Sequence, residues 1–145
     1  MALPLKQLTA LFKSLSDGGR LRLVNLLNMQ SLCVGEMQKV LRLSQPYVSR
    51  HLAILRAANL VRTQRHGSKV RYSLARAPFL NYPLGRFLNE VAPFFSELQA
   101  DAERLVELKG GRAKNRRAQR ERAPKRGANF PARGVESREP FGDMP

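Results

Sequence analysis

The spacing of apolar residues changes period at Asn59, and that change narrows the folds open to the chain. Upstream, apolar side chains recur at three- and four-residue steps. Leu5, Leu8, Phe12 and Leu15 form one stripe, Leu23, Val24, Leu26 and Leu27 a second, and Val34, Met37, Val40 and Leu41 a third. Such spacing lines one face of a helix. The Ser16-Asp17-Gly18-Gly19 run punctuates the first two, so the second helix is expected over 20–28. Downstream, Val61 and Thr63 alternate with Arg62 and Gln64, and Val70, Tyr72 and Leu74 with Lys69, Arg71 and Ser73, around a His66-Gly67-Ser68 tip. Period two predicts a short basic hairpin. The fold class is mainly α with a small β-hairpin.

Between the third stripe and the hairpin, Arg42-Leu43-Ser44 reads as a turn into a fourth helix, Gln45 to about Ala58. Ser44 is expected to cap it by accepting the Tyr47 N–H, and Pro46 in the first turn gives up a donor that has no intrahelical partner. At 100° per residue Val48, Leu52 and Leu55 face inward, and Pro46, Ser49, Arg50 and Ala53 face out. Two short helices joined by a capped turn, followed by a hairpin, make a winged helix-turn-helix.

From Met37 to Asn89 the chain has no Asp or Glu but carries Lys39, Arg42, Arg50, Arg56, Arg62, Arg65, Lys69, Arg71, Arg76 and Arg86. The net charge of +15 and the pI near 11.3 exceed what solubility needs, which favours a polyanionic partner. Double-stranded DNA is favoured over an anionic membrane surface, because the cations surround a helix-turn-helix pattern and no apolar run approaches the length of a spanning helix. The first residues carry no secretory pattern, so a cytoplasmic protein is expected. With one cysteine and two histidines, no disulfide framework and no metal or other cofactor is expected.

Beyond Pro78 a long helical segment is expected, with a kink or break near Pro93. Its Leu84, Leu88, Val91, Phe95, Leu98, Ala102 and Leu105 are spaced alternately by four and three. Phe87, Phe94 and Val106 widen this seam beyond what a lone helix hides, so it reads as a C-terminal dimerisation helix. With Leu5, Leu8 and Phe12 of the first helix, the expected dimerisation residues are Leu84, Leu88, Val91, Phe95, Leu98 and Leu105. A ligand between such helices is one use for the phenylalanines; plain packing is the other. Residues 1–108 are expected to form the DNA-binding and dimerisation domain, and 109–145, with Arg116-Arg117, Lys125-Arg126 and few aliphatics, a basic disordered tail.

The expected DNA-binding residues are Ser44, Gln45, Pro46, Tyr47, Ser49, Arg50 and His51 of the reading helix and Arg65, His66, Lys69 and Arg71 of the hairpin. Arg50 can pair bidentately with guanine, and Gln45 or Ser49 can reach base edges or phosphates. A lone helical arginine is more often a solvated one; the acid-free field and the hairpin favour contact. His51 lies beside the apolar stripe, where packing is the leading role and phosphate contact the second. His66 at the tip is either solvated or tracks the phosphate backbone. Cys33 is read first as a small buried apolar residue and second as a reactive thiol.

Over residues 3–75 the chain resembles the ArsR/SmtB family of bacterial transcriptional regulators. Residues 15–24, Leu-Ser-Asp-Gly-Gly-Arg-Leu-Arg-Leu-Val, are similar to that family's entry to its second helix. Residues 43–52, with Leu55, Leu60 and Val61, resemble its recognition helix and the start of its wing, and Gly67 and Tyr72 fit the wing. The resemblance implies a homodimeric repressor whose two recognition helices meet successive major grooves of a near-palindromic operator. Where metal-sensing relatives show Leu-Cys-Val-Cys-Asp-Leu, this chain has Leu32-Cys33-Val34-Gly35-Glu36-Met37, and its last helix has no histidine. The resemblance therefore implies no response to metals through the usual sites and no two-cysteine redox switch. Gly18-Gly19 stands where the family usually has Pro-Thr.

Two other classes compete with a sequence-specific repressor. One is a nonspecific architectural DNA- or RNA-associated protein that uses the basic tail; the other is a structural protein that uses the Leu84–Leu105 seam to bind a different protein. An enzyme is not expected, since the chain has no Gly-rich phosphate loop, no metal-spaced His or Cys cluster and no paired carboxylates in a cleft. No small-molecule effector is specified by the residues.

Overall fold

Six helices and one antiparallel hairpin follow one another in a computed structural model that describes residues 4–75 and 81–122. They are α1 (Leu5–Leu15), α2 (Gly18–Met29), α3 (Val34–Leu41), α4 (Gln45–Ala57), β1 (Val61–His66), β2 (Lys69–Leu74), α5 (Asn81–Val91), a 3-10 turn (Ala92–Phe94) and α6 (Ser96–Arg122). The chain is a winged helix-turn-helix with a long last helix. Arg76 and the cations from Lys125 onward lie outside the described residues.

Local chemistry sets most boundaries. α2 starts two residues before its expected beginning because the Asp17 carboxylate accepts the Arg20 N–H at 3.0 Å, which draws Gly18 and Gly19 into the first turn. α3 opens on a capping box, in which the Glu36 carboxylate accepts the Cys33 N–H at 2.8 Å and the Cys33 side chain accepts the Glu36 N–H. Arg42 ends α3 in the left-handed region (φ 58°). Ser44 is the N-cap residue of α4, but its hydroxyl does not accept the Tyr47 N–H. Asn59 (φ 57°) turns the chain out of α4 into β1. The strands pair from Val61↔Leu74 to His66↔Lys69, and Gly67 (φ 61°) supplies the left-handed turn that a side chain would oppose. Leu32 docks on the hairpin's base through two backbone hydrogen bonds with Tyr72, of 3.0 and 2.7 Å.

The core joins α2, α3 and α4 through Leu23, Leu26, Met37, Val40, Val48, Leu52 and Leu55, and Leu88 and Leu105 pack onto it from α5 and α6. On α1 the buried residue is Leu11; Leu5, Leu8 and Phe12 are exposed. The break expected near Pro93 divides the long segment into two helices, because Pro93 lacks the N–H that would continue α5. Helical structure continues from Gly110 to Arg122, where a tail without structure was expected. Lys109 and Arg112 anchor this extension to Glu36, and its Arg, Lys, Gln and Ala are good helix formers that offset two glycines.

α6 grips α3 at both ends. At the C-terminal end, fully buried Asp101 accepts Arg22 Nε at 2.7 Å and Nη2 at 2.8 Å and also pairs with Arg104. The same arginines donate to α3's last carbonyls, Arg104 Nε to Val40 at 2.6 Å and Arg22 Nη2 to Leu41 at 3.3 Å. At the N-terminal end, buried Glu36 receives Lys109 Nζ at 3.2 Å, Arg112, and Arg71 Nη1 of β2 at 3.8 Å.

Candidate nucleic-acid interface

α4 packs inward through Val48, Leu52 and Leu55, as the helical wheel predicts, and this decides what it presents outward. Gln45, Pro46, Arg50, Ala53 and Arg56 are exposed and Ser49 is half-buried, giving a small, polar and cationic face. Ser44 is exposed at its start. Ile54 is 39% exposed and adds an apolar spot to the outer surface.

Tyr47, expected among the DNA-contacting residues, turns inward, and His51 takes the packing role that was its first expectation. Tyr47 lies against α2, with its hydroxyl where a Cβ on Gly19 would come within 2.5 Å, so the tyrosine depends on that glycine. His51 is buried, its ring centroid 4.2 Å from that of Tyr47 and its Nδ1 3.8 Å from Asp17 Oδ1. Asp17 is held below the ordinary carboxylate range, chiefly by the Arg20 backbone N–H, with His51 and Arg20 contributing charge.

The hairpin is exposed from Arg62 to Val70, and Arg65, His66 and Lys69 surround its tip. Arg65 Nε donates to the Gly67 carbonyl at 3.2 Å, which holds the guanidinium at the turn. Arg62 Nε reaches Ser73 Oγ across the strands at 3.2 Å. Arg71, expected with the tip residues, points the other way. It donates to Ser31, with Nε 3.3 Å from Oγ and Nη2 on the carbonyl, and faces Glu36. Of the eleven sequence-derived residues, eight thus remain on or beside the outer surface, and Tyr47, His51 and Arg71 are structural.

The Glu36 cluster escaped the sequence reading, although Cys33 and Glu36 have the spacing of a capping box. Burial pushes the Glu36 carboxyl up, but the Cys33 N–H, Lys109 and the Cys33 thiol outweigh it and hold it at about 2. Arg22 is raised above its ordinary value, chiefly by its hydrogen bonds to Asp101. Cys33 is half-buried and free. No group of three or more His, Cys, Asp or Glu among the described residues could hold a metal ion. No helix among them is long and apolar enough to cross a membrane.

The family model described as "Bacterial regulatory protein, arsR family" matches residues 17–63, from the α2 cap into β1. The arsenic resistance transcriptional regulator ArsR1 of Pseudomonas putida is 39% identical over 99 residues, 67% of this chain and 76% of that protein. The chain belongs to the ArsR family. A transcriptional repressor SmtB homolog of Synechocystis is 40% identical over 76 residues, 52% of this chain. The chain spans 58% of that relative's length. Among solved structures, HlyU from Vibrio cholerae superposes with a TM-score of 0.56 at 30% identity, over 63% of this chain and 97% of that one. The matched region of this ArsR-family chain holds both helices of the helix-turn-helix. The α6 extension lies beyond it.

Proposed function

We propose that the protein is a sequence-specific DNA-binding repressor that acts as a homodimer on a near-palindromic operator. The observation that carries this is the outer face of α4, where Gln45, Ser49 and Arg50 stand clear of a helix anchored by Val48, Leu52 and Leu55. A face of that size and polarity suits a major groove, and Arg50 suits a guanine edge. Ser44, Gln45 and Pro46 lie at its start, and Arg65, His66 and Lys69 serve the adjoining phosphates or minor groove. Tyr47, His51 and Arg71 act indirectly, by fixing α4 and the wing. The family model covers both helices of the helix-turn-helix, and a relative named as a transcriptional repressor is 40% identical to this chain over 76 residues, which supports the same role here.

The test is selection from a random duplex pool by the full chain at near-physiological salt. We expect enrichment of two similar half-sites about one helical turn apart. Arg50→Ala should lose about tenfold or more in affinity for the enriched site and relax the preference at one base position per half-site. Undiminished specific binding by Arg50→Ala would count against α4 as the reading helix.

A nonspecific architectural role is the second reading. It is favoured by the helical extension of α6, where Lys114, Arg116, Arg117 and Arg120 are all exposed. On the repressor reading, residues 1–108 supply the DNA-binding and dimerisation domain and the basic segment that follows adds affinity without choosing a sequence; on the architectural reading that segment supplies most of the affinity.

A further inference from the structure

A cavity of about 590 Å³ opens between the first turn of α2, the first turn of α4, α5 and the start of α6. Its wall is apolar, with Leu21, Val91 and Leu98 beside Phe87, Phe95 and Tyr47. The charged members of the lining are one cation, Arg22, and one anion, Glu97. They offset one another, and the Arg22 guanidinium is already taken up by Asp101 and the Leu41 carbonyl. The recess therefore has no unbalanced charge to offer an ion.

Its size argues for a small molecule. Ligand sites commonly span roughly 300–1,000 Å³ with mostly apolar walls and a few polar groups. A stable protein interface needs on the order of 800 Å² from each partner, far more than such a recess supplies. The apolar side chains suited to a broad flat interface, Leu5, Leu8, Phe12 and Phe94, lie outside this wall.

The wall also includes part of the reading helix. Tyr47 sits three residues before Arg50 and fits against α2 only because Gly19 has no Cβ. We propose that this cavity is an effector site for an uncharged, predominantly apolar small molecule, whose occupancy is transmitted to α4 through Tyr47. The effector role rests on the DNA-binding reading above; the cavity as a ligand site does not. A molecule seated against Tyr47 cannot shift it towards Gly19, where no space remains, so displacement of the ring moves the first turn of α4, and Gln45, Ser49 and Arg50 with it.

The experiment uses the full chain and N-phenyl-1-naphthylamine, an uncharged probe that brightens in apolar surroundings. Saturable binding of one probe per chain is expected. Gly18 lines the cavity with open space for a side chain, so Gly18→Leu should fill it and weaken the probe by about tenfold or more. Val91→Trp is a second filling variant from the opposite wall, and Met29→Ser, at an exposed position outside the cavity, should bind the probe as the parent does. At saturating probe, affinity for the selected duplex should fall about fivefold or more in the parent and stay constant in the filled variants. Unsaturable binding, indifference to both filling variants, or loss in Met29→Ser overturns the site. Probe binding that leaves DNA affinity unchanged overturns the effector role. A chain that binds no specific DNA overturns the reading of α4, while the probe titration without DNA still decides the cavity.

Discussion

Glu36 carries an unusual electrostatic load for one carboxylate. It is 1% exposed and meets Lys109, Arg112 and Arg71 while accepting the Cys33 N–H. A carboxylate withdrawn from water is stabilised only if its partners outweigh the desolvation, and here they hold its pKa at about 2 against an ordinary 4.5. That difference corresponds to roughly 3 kcal/mol of stability, present above pH 4.5 and lost as pH falls towards 2. Glu36→Gln keeps an acceptor for the Cys33 N–H but leaves three cations facing one another. Urea titration at pH 7 should show it destabilised by about 3 kcal/mol, and the gap to the parent should narrow steadily below pH 4.5. An equal gap at pH 7 and pH 3 would mean that shape, not charge, makes Glu36 important.

At the scale of elements, α6 is where the chain departs furthest from a minimal winged helix. Its first half is pinned to α2 through Asp101 and to α3 through Arg104 and Lys109, and beyond Arg112 it presents Lys114, Arg116, Arg117 and Arg120 to solvent. Truncation after Ala113 keeps the Arg112–Glu36 pair and removes the exposed cations. A specific repressor should retain its site preference, with a salt slope smaller by about one unit for each phosphate that the shortened chain leaves unneutralised. An architectural protein should lose nearly all binding in the same gel-shift titration. The helices and hairpin of the DNA-reading half were legible in the sequence because their signals are local: a stripe, a proline in the first turn, a change of period. The break at Pro93 was legible for the same reason. The destinations of Tyr47 and Arg71 were not, since they depend on a notch at Gly19 and on the Ser31 carbonyl, both supplied by other elements. Nor was the Glu36 cluster, whose partners on α6 lie 73 and 76 residues away. The apolar seam misled in part, because its spacing records only that one side is buried. Leu88, Leu98 and Leu105 are buried within the chain itself.

For the whole molecule, what remains uncovered is decisive. Leu5 is 72% exposed, Leu8 42%, Phe12 63% and Phe94 83%, too many large apolar side chains to leave in water without cost. Leu84 and Val91 are half-buried and can only fringe an interface, so the dimer proposed above must draw chiefly on α1 and on the segment around the 3-10 turn. This is a narrower surface than the seam implied, and it makes the dimer sensitive to a few side chains. Phe12→Ser with Phe94→Ser should leave the helical circular dichroism intact, because neither ring contributes to the monomer's core, and should sediment as a monomer where the parent sediments as a dimer. Linking two reading helices makes the second binding event intramolecular. The monomeric variant should therefore bind an isolated half-site as the parent does, yet lose about a hundredfold on the two-half-site duplex. If the parent itself sediments as a monomer, the exposed face serves a different protein, and a symmetric operator loses its physical basis.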